Sequence, residues 1–155
     1  MITQKQIIER YGQATPSGEP YLTSLILPYP MRLAWDMKTE VKRIRCHKLV
    51  ADDLFNVFDD LKYYYGVDNI RKLGIDLFGG CFNYRKMRGG SKLSTHSWGI
   101  SIDLDPSRNR LKENHQTARF ARKAYEPMID IFYGNNFESL GREKDYDWMH
   151  FQVRE

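Results

Sequence analysis

The sequence predicts a fold that mixes α-helices and β-strands. Segments 47–65 and 116–133 repeat apolar residues at three- and four-residue steps, which is typical of amphipathic helices. Segment 100–105 alternates aliphatic and polar residues, which is typical of a strand with one buried face. The runs at 75–84 and 147–153 are rich in apolar and aromatic residues and predict two more strands.

The predicted helices carry recognisable end signals. Thr3 and Gln6 have the spacing of a capping box ahead of two isoleucines, so a short helix should open the chain and stop near Gly12. Gly66 is well placed to end the helix at 47–65. Within 116–133, Pro127 is expected to kink or interrupt the helix.

The remaining segments are predicted from their composition. Residues 12–21 combine Gly, Pro and Ser and predict a loop, and the proline-bounded apolar run 21–30 predicts an extended segment or a packed arm. Gly79 and Gly80 indicate a bulge in the strand at 75–84. Segment 38–48 holds five basic residues and is interpreted as a solvated face, with binding of an anionic polymer as the alternative.

Length and composition favour one domain over residues 1–155. Hydrophobic residues make up 41% of the 155 residues and aromatic ones 14%, enough for a single core. The net charge of +4 comes from 24 basic and 20 acidic residues, so it does not single out an anionic polymer as partner. Cys46 and Cys81 lack the close spacing of metal or redox pairs and are expected to be buried, reduced thiols.

The first residues, MITQKQIIER, contain no apolar stretch of the kind found in signal peptides. No run of the chain approaches the 18 apolar residues of a membrane span. We therefore expect synthesis in the cytoplasm and no insertion into a membrane.

Three residues fill the ligand list of a catalytic zinc site: His96, Asp103 and His150. Zinc in hydrolases commonly takes three histidine or carboxylate ligands and leaves a fourth position to water, whose pKa falls to about 7. Such a water needs a base beside it, and Asp147 is the candidate. The alternative is that each of these residues is merely solvated or hydrogen-bonded, the class to which His47 and His115 are assigned.

Periodicity alone does not assemble that site. Strict alternation along the strand places His96 on the aliphatic side, away from Asp103. A shared site requires the backbone to turn between residues 97 and 100, and Gly99 is where that could happen. Asp147 and His150 likewise share a face of a helix but oppose each other in a perfect strand.

The chain nevertheless contains a two-part motif. Ser94, His96, Gly99 and Asp103 form the pattern SxHxxGxxxD, and a late DxxH follows at 147–150. In this the chain resembles the zinc D-Ala-D-Ala carboxypeptidase family, which also contains the L-alanyl-D-glutamate endopeptidases used by bacteriophages as endolysins. The likeness covers most of the chain from about residue 20 onward. It implies a small α+β fold, an antiparallel sheet flanked by helices, shared with the Hedgehog signalling domain.

The resemblance also implies a role for each site residue. Zn²⁺ would be held by the three ligand candidates, and Asp147 would be the catalytic base. Family members carry an arginine on a strand before the histidine motif that binds substrate and stabilises the oxyanion. Arg85 matches that position best, and Arg88 is the fallback. Arg88 and Ser94 are assigned to substrate binding.

The chain departs from the family pattern at three positions. Asp147 stands where many members have Glu, which makes the base one methylene shorter. Ser101 replaces a more usual Ala, and Gln152 a more usual Glu. Neither Ser101 nor Gln152 is expected to be a ligand.

The function that the resemblance implies is hydrolysis of peptidoglycan stem peptides. An L-alanyl-D-glutamate endopeptidase acting as a phage-type endolysin is the first expectation, a monomer that reaches the wall after release through a holin. A D-Ala-D-Ala carboxypeptidase is the alternative within the family. A non-catalytic zinc-containing binding module on the same fold is the alternative from another class. Nucleic acid is not an expected partner, because a DNA-binding role for 38–48 leaves the paired motifs unexplained.

Overall fold

The computed structural model describes all 155 residues, which form six strands and five α-helices. The strands are β1 (Leu22–Leu33), β2 (Asp36–His47), β3 (Leu77–Gly80), β4 (Ser101–Leu104), β5 (Phe137–Ser139) and β6 (His150–Val153). The helices are α1 (Gln4–Tyr11), α2 (Ala51–Tyr65), α3 (Val67–Leu73), α4 (Glu126–Gly134) and α5 (Leu140–Lys144). The mixture of helices and strands predicted from the sequence is confirmed.

The strands form one sheet in the order β2-β1-β3-β4-β6-β5. Every neighbouring pair is antiparallel except β1 and β3, which are parallel. The expectation of an antiparallel sheet is therefore wrong at this pair. β3 runs antiparallel to β2, the strand that precedes it in the chain, and it pairs with β1 instead of β2. Because β1 and β2 are themselves antiparallel, β3 is parallel to β1.

The long β1–β2 hairpin is the main element that the sequence patterns left unassigned. The apolar run at 21–30 is extended, as predicted, and it belongs to β1. The basic segment 38–48 lies largely on β2, an edge strand whose side chains are exposed as far as Arg43 except for half-buried Val41. Its interpretation as a solvated face is confirmed. Exposed lysine on an edge strand also discourages pairing with other chains.

The core lies where the helices cover the sheet. Ile100, Ile102 and Leu104 project to this side and are fully buried, as the alternation predicted. Phe132 of α4 stacks on Phe151 of β6, with ring centroids 3.9 Å apart. A single cluster of 31 buried hydrophobic residues joins sheet and helices.

The predicted helix ends are confirmed at α1 and α2. Thr3 and Gln6 form both hydrogen bonds of the capping box, and such a cap contributes about 1 kcal/mol. Gly12 follows the last residue of α1, and Gly66 follows that of α2. The segment 47–65 begins with a 3₁₀ turn at Lys48–Val50 before α2 proper.

The helix predicted over 116–133 is wrong in its first half. Two 3₁₀ turns occupy Arg119–Ala121 and Lys123–Tyr125, and α4 starts only at Glu126. Pro127 lies in the first turn of α4 and does not kink it. An α-helix cannot run through this point, because proline lacks the N–H and its ring clashes with the carbonyl four residues earlier.

Two further predictions are confirmed. Cys46 and Cys81 are buried, unpaired thiols, and burial raises the pKa of Cys46 to about 12, so it stays protonated at neutral pH. The glycine pair at 79–80 produces a register shift between β3 and β4.

None of the helices has both the length and the apolar character needed to cross a membrane.

Candidate metal centre and peptidase site

The register of the two central strands brings Asp103 and His150 together. In the antiparallel pair β4–β6, Asp103 lies directly opposite His150 and Ser101 opposite Gln152. Residues that face each other across antiparallel strands project to the same side of the sheet. This side is opposite to the one on which the aliphatic residues of β4 enter the core.

His96 reaches the same place through a turn. Residues Thr95–Trp98 form a 3₁₀ turn, and Gly99 then adopts φ 68°, ψ 30°, in the left-handed region. This is the turn that the sequence required if His96 and Asp103 were to share a site. The Ser94 hydroxyl caps the 3₁₀ turn by accepting a hydrogen bond from the backbone N–H of His96.

The three side chains form a compact triad. One ligand atom from each of His96, Asp103 and His150 lies within 4.8 Å of the others. Oδ1 of Asp103 is 3.2 Å from Nε2 of His96 and 3.1 Å from Nδ1 of His150. The Asp103 side chain is 15% exposed and the histidines are less so, which makes this a largely buried set of N, N and O donors with one open side.

The second nitrogen of each histidine is already engaged. Nδ1 of His96 lies 2.7 Å from the carbonyl oxygen of Cys81, and Nε2 of His150 lies 3.0 Å from Oε1 of Gln152. When these nitrogens carry the protons, the lone pairs of the remaining two point toward Asp103. Nε2 of His96 is buried and has no hydrogen-bond partner, because the nearby Asp103 oxygen lacks the required geometry. A buried polar nitrogen without a partner is rare, and a metal ion would satisfy it.

The charges of the triad reinforce one another. Burial acts to raise the pKa of Asp103, but the charge of His96 and the hydrogen bond and charge of His150 outweigh it and hold that pKa below its usual value. Burial acts to lower the pKa of His150, and Asp103 outweighs it in the opposite direction. Asp103 is thus an anionic acceptor across the physiological range, as a carboxylate ligand must be.

Asp147 sits beside the triad in an unusual backbone conformation. Its backbone φ is 51°, a region that residues other than glycine seldom occupy. Its N–H donates to the carbonyl of Leu111 at 2.9 Å, and its own carbonyl accepts from the N–H of His150 at 3.0 Å. This turn explains how Asp147 and His150 meet although β6 begins only at His150. The strand predicted over 147–153 is therefore shorter at its start.

The electrostatics of Asp147 suit a proton acceptor. Burial raises the pKa of its carboxyl, the neighbouring Asp103 raises it further, and His150, His96 and Arg85 partly offset the shift. A carboxylate with a raised pKa binds a proton more readily at neutral pH, as a general base must.

Neither of the two arginine candidates lies on a regular strand. β3 ends at Gly80, and the strand predicted to continue to residue 84 is wrong there. Arg85 lies in the irregular segment that follows, where its N–H donates to Oγ of Ser97 and its carbonyl accepts from the N–H of Ser94. The arginine is therefore fixed to the turn that carries His96. Arg88 lines an open cleft that ends at Asp103.

That cleft has a volume of about 930 Å³, which is large enough for a short peptide segment. One wall comes from the irregular segment 106–117 that follows β4. Trp35, at the turn of the β1–β2 hairpin, lies on the rim and is 70% exposed. Gly79 lines the floor, where a Cβ atom would come within 3.2 Å of Asp103 and Pro106.

Sequence reasoning missed the residues that orient the histidines. Gln152, which was not expected to be a ligand, contacts Nε2 of His150 at 3.0 Å and so helps to orient it. The backbone carbonyl of Cys81 carries no sequence signal at all. Gln152 could have been found from its spacing, because a residue two positions after a ligand on a strand projects to the same side.

The other two histidines lie outside the site. His47 is buried between Tyr11 and Tyr21, and its Nε2 lies 2.9 Å from the Tyr11 carbonyl oxygen. His115 is exposed and pairs with Asp145 at 2.7 Å. Both are hydrogen-bonded residues without a role at the triad, as predicted.

The sequence model of one protein family, described as D-alanyl-D-alanine carboxypeptidase, matches residues 88–153. The matched segment contains the whole triad, Asp147 and the strands β4 and β6. Helix α1, the β1–β2 hairpin, α2 and α3 lie outside it. No curated protein matches the chain. The match supports a peptidase, and it covers the residues that the geometry brings together at the triad.

Proposed function

We propose that this protein is a zinc-dependent peptidase that hydrolyses peptidoglycan stem peptides. The observation that carries the proposal is the buried Nε2 of His96, which has no hydrogen-bond partner. It lies 3.2 Å from Oδ1 of Asp103, which is itself 3.1 Å from Nδ1 of His150. Two nitrogens and one carboxylate oxygen match the donor set of catalytic zinc sites, which leave the fourth position open. The family match over residues 88–153 supports both the metal and the peptidase activity.

The chain's own residues would divide the remaining work. Zinc bound to such a triad supplies a Lewis acid and an activated water at neutral pH. Asp147 would accept the proton of that water and return it to the leaving amine. Arg85 would stabilise the negative charge that develops on the peptide oxygen. Ser94 would contribute to substrate binding indirectly. Its hydroxyl caps the turn that positions His96.

We further propose that the bond cut is the one between L-Ala and D-Glu, as in a phage-type endolysin. A lysin must sever the stem so that crosslinks part from the glycan, whereas trimming a terminal residue leaves the wall intact. The open cleft beside Asp103 supports this choice, because it offers room for several residues of an extended peptide. In this role the enzyme would act as a monomer and reach the wall once a holin has opened the inner membrane.

Two alternatives make different demands. A D-Ala-D-Ala carboxypeptidase must hold a free terminal carboxylate, for which Arg85 and Arg88 are suitable donors. A non-catalytic zinc module on a Hedgehog-like fold would need no base, and the half-buried Asp147 beside the triad, held at a positive φ, speaks against it. The Hedgehog-like fold itself remains part of this proposal.

Metal analysis tests the zinc site. Protein purified without chelator should contain about one zinc per chain. A His150→Ala variant should lose it, while His115→Ala, which removes an exposed histidine outside the triad, should keep it. Full activity on peptidoglycan after complete removal of the metal would overturn the proposal.

Digestion of a defined muropeptide tests which peptide bond is cut. The new ends are identified by mass spectrometry. A peptide that begins with D-Glu supports the endopeptidase. Free D-Ala as the only product would establish the carboxypeptidase instead. If no stem peptide is cleaved, the non-catalytic binding module is the remaining alternative.

A further inference from the structure

The cleft beside Asp103 contains positive charge that the proposed chemistry does not use. Of its five charged lining residues, Asp103 is engaged with the two histidines and Glu113 pairs with Arg110 at 3.3 Å. Arg88 and Lys112 make no ion pair and no side-chain hydrogen bond. The cleft therefore presents two uncompensated cations to whatever occupies it.

The wall that carries Lys112 is fixed relative to the candidate base. The carbonyl of Leu111 accepts the N–H of Asp147 at 2.9 Å, so Lys112 adjoins a residue that is tied directly to the site. Further back, buried Asn109 donates to the carbonyl of Asp105 and accepts the N–H of Phe120. The segment is irregular but anchored at both ends, which is how a loop keeps a binding residue in place.

An exposed aromatic ring, that of Trp35, also lines the cleft. Trp35 lies in the turn between β1 and β2, and its neighbour Ala34 donates its N–H to Phe78 of β3 at 2.9 Å. The hairpin end is thereby attached to β3, the strand that contains Gly79 of the cleft floor. The other two tryptophans, Trp98 and Trp148, are buried, so Trp35 is the one that a ligand in the cleft would cover.

We propose that the cleft between Trp35 and segment 106–117 is an anion subsite, in which Lys112 and Arg88 bind a carboxylate of the substrate next to the bond that is cut. This inference rests on the proposed peptidase function. Lys112 and Trp35 are thereby specificity-determining residues that no sequence motif identifies. An anionic peptide fits because the two cations lack partners, whereas a neutral peptide would leave them uncompensated.

Two carboxylates of a stem peptide could occupy this subsite. A glutamyl residue has two carboxyl groups, and the main chain uses only one, so cleavage before D-Glu leaves a free carboxylate beside the reacting amide. The terminal D-Ala carries the other. The chemistry recognised is the same, and the two sources are separated by replacing each carboxylate with a carboxamide.

The test measures kcat and KM for three peptides: the free acid, the D-Glu carboxamide and the C-terminal carboxamide. Wild type is compared with Lys112→Ala and Lys112→Arg, and with Lys42→Ala, which removes an exposed lysine on β2 outside the cleft. On the free acid, Lys112→Ala should raise KM about three- to tenfold at unchanged kcat, with Lys112→Arg near wild type. Lys42→Ala should have no effect.

The carboxamides show which group Lys112 contacts. For the peptide that lacks the recognised carboxylate, KM of wild type should already be raised, and Lys112→Ala should add nothing, because the two changes remove one interaction. Equal KM values for wild type and Lys112→Ala on the free acid overturn the subsite. So does a Lys112→Ala defect of the same size on all three peptides.

A binding measurement separates this inference from the proposed function. Protection of Trp35 from acrylamide quenching is titrated with each peptide, using wild type and Trp35→Phe, and requires no cleavage. If wild type digests peptidoglycan but binds acid and carboxamides equally, the subsite fails and the function stands. If no peptide is cleaved, the function fails, and carboxylate-dependent protection still decides whether the subsite exists.

Discussion

Nε2 of His150 lies 3.0 Å from Oε1 of Gln152, two residues further along β6. This contact, together with a longer one of 3.3 Å from Nε2 to Oγ1 of Thr95, favours the arrangement in which Nδ1 of His150 faces Asp103. When Nε2 donates its proton to the amide oxygen, Nδ1 keeps a lone pair for a metal. Gln152 is thus a positioning residue that acts through His150, although it replaces the carboxylate that the resemblance led us to expect there.

Removing that contact should weaken metal binding. Gln152→Leu removes the nearer polar partner of Nε2 of His150 and leaves only Oγ1 of Thr95, at 3.3 Å, to favour one tautomer. The loss of such a supporting partner typically lowers metal affinity about 10- to 100-fold. Gln152→Glu keeps an acceptor and adds negative charge, so its affinity should equal or exceed that of wild type. Competition with a chromophoric zinc chelator measures both. A leucine variant that binds zinc as tightly as wild type would show that strand geometry alone orients His150.

Asp147 should be needed for catalysis and not for metal binding. A general base contributes about 10²–10⁴-fold to rate, so Asp147→Asn should lose that factor while keeping about one zinc per chain. Asp145→Asn is the matched control, because Asp145 also has a positive φ but pairs with exposed His115 outside the site. Metal content and hydrolysis of purified peptidoglycan are measured side by side. Loss of zinc from Asp147→Asn would mean that Asp147 is a ligand.

The site was more predictable from the sequence than the sheet was. His96, Asp103 and His150 are brought together as the two-part motif indicated, and the conflict between their spacing and strand alternation correctly located the turn at Gly99. This worked because a left-handed turn needs a residue of special conformational freedom, and glycine marks it in the sequence.

The β1–β2 hairpin escaped prediction for two physical reasons. Pro28 and Pro30 lie inside β1, and proline is normally excluded from strand interiors. The structure accommodates them where the register shifts between Ile26 and Met31. β2 is an edge strand exposed along most of its length, so burial imposes no apolar alternation on its sequence.

Gly99→Ala should damage both stability and the site. A Cβ atom there would lie 3.0 Å from the backbone nitrogen of His47 and 3.0 Å from Leu22, and φ is 68°. Strain and overpacking together should lower the free energy of unfolding by about 2 kcal/mol or more. Because the same turn delivers His96, zinc affinity should fall as well. Gly89→Ala is the control: its φ is 72° but nothing surrounds the new methyl group, so it should show a smaller loss of stability and normal zinc binding.

Unfolding by urea and zinc competition assays on both variants check this prediction. A Gly99→Ala protein with wild-type stability and zinc affinity would mean that the turn can relax without moving His96.

Glu138 should limit the stability of the protein at neutral pH. It lies on β5 opposite Gln152, is only 6% exposed, and its Oε2 has no hydrogen-bond partner. Burial raises the pKa of its carboxyl, and the N-terminal amine and Arg154 offset this only in part. Because the pKa is higher in the folded state than in the unfolded state, the folded protein takes up the proton first. The contribution of the Glu138 carboxyl to the free energy of unfolding therefore rises as the pH falls through the raised pKa, and it is lowest above that pKa.

Glu138→Gln removes the buried charge and keeps the shape of the side chain. At about pH 7.5 it should raise the free energy of unfolding by about 1 kcal/mol, the lower end of the cost of an unsatisfied buried polar group. At about pH 4, where the wild-type carboxyl is protonated in the folded state, the difference should disappear. Glu9→Gln, on the exposed face of α1, should change stability at neither pH. Urea unfolding of the metal-free protein at both pH values measures the difference, and a Glu138→Gln variant less stable than wild type at pH 7.5 would mean that the carboxylate has a stabilising partner in solution.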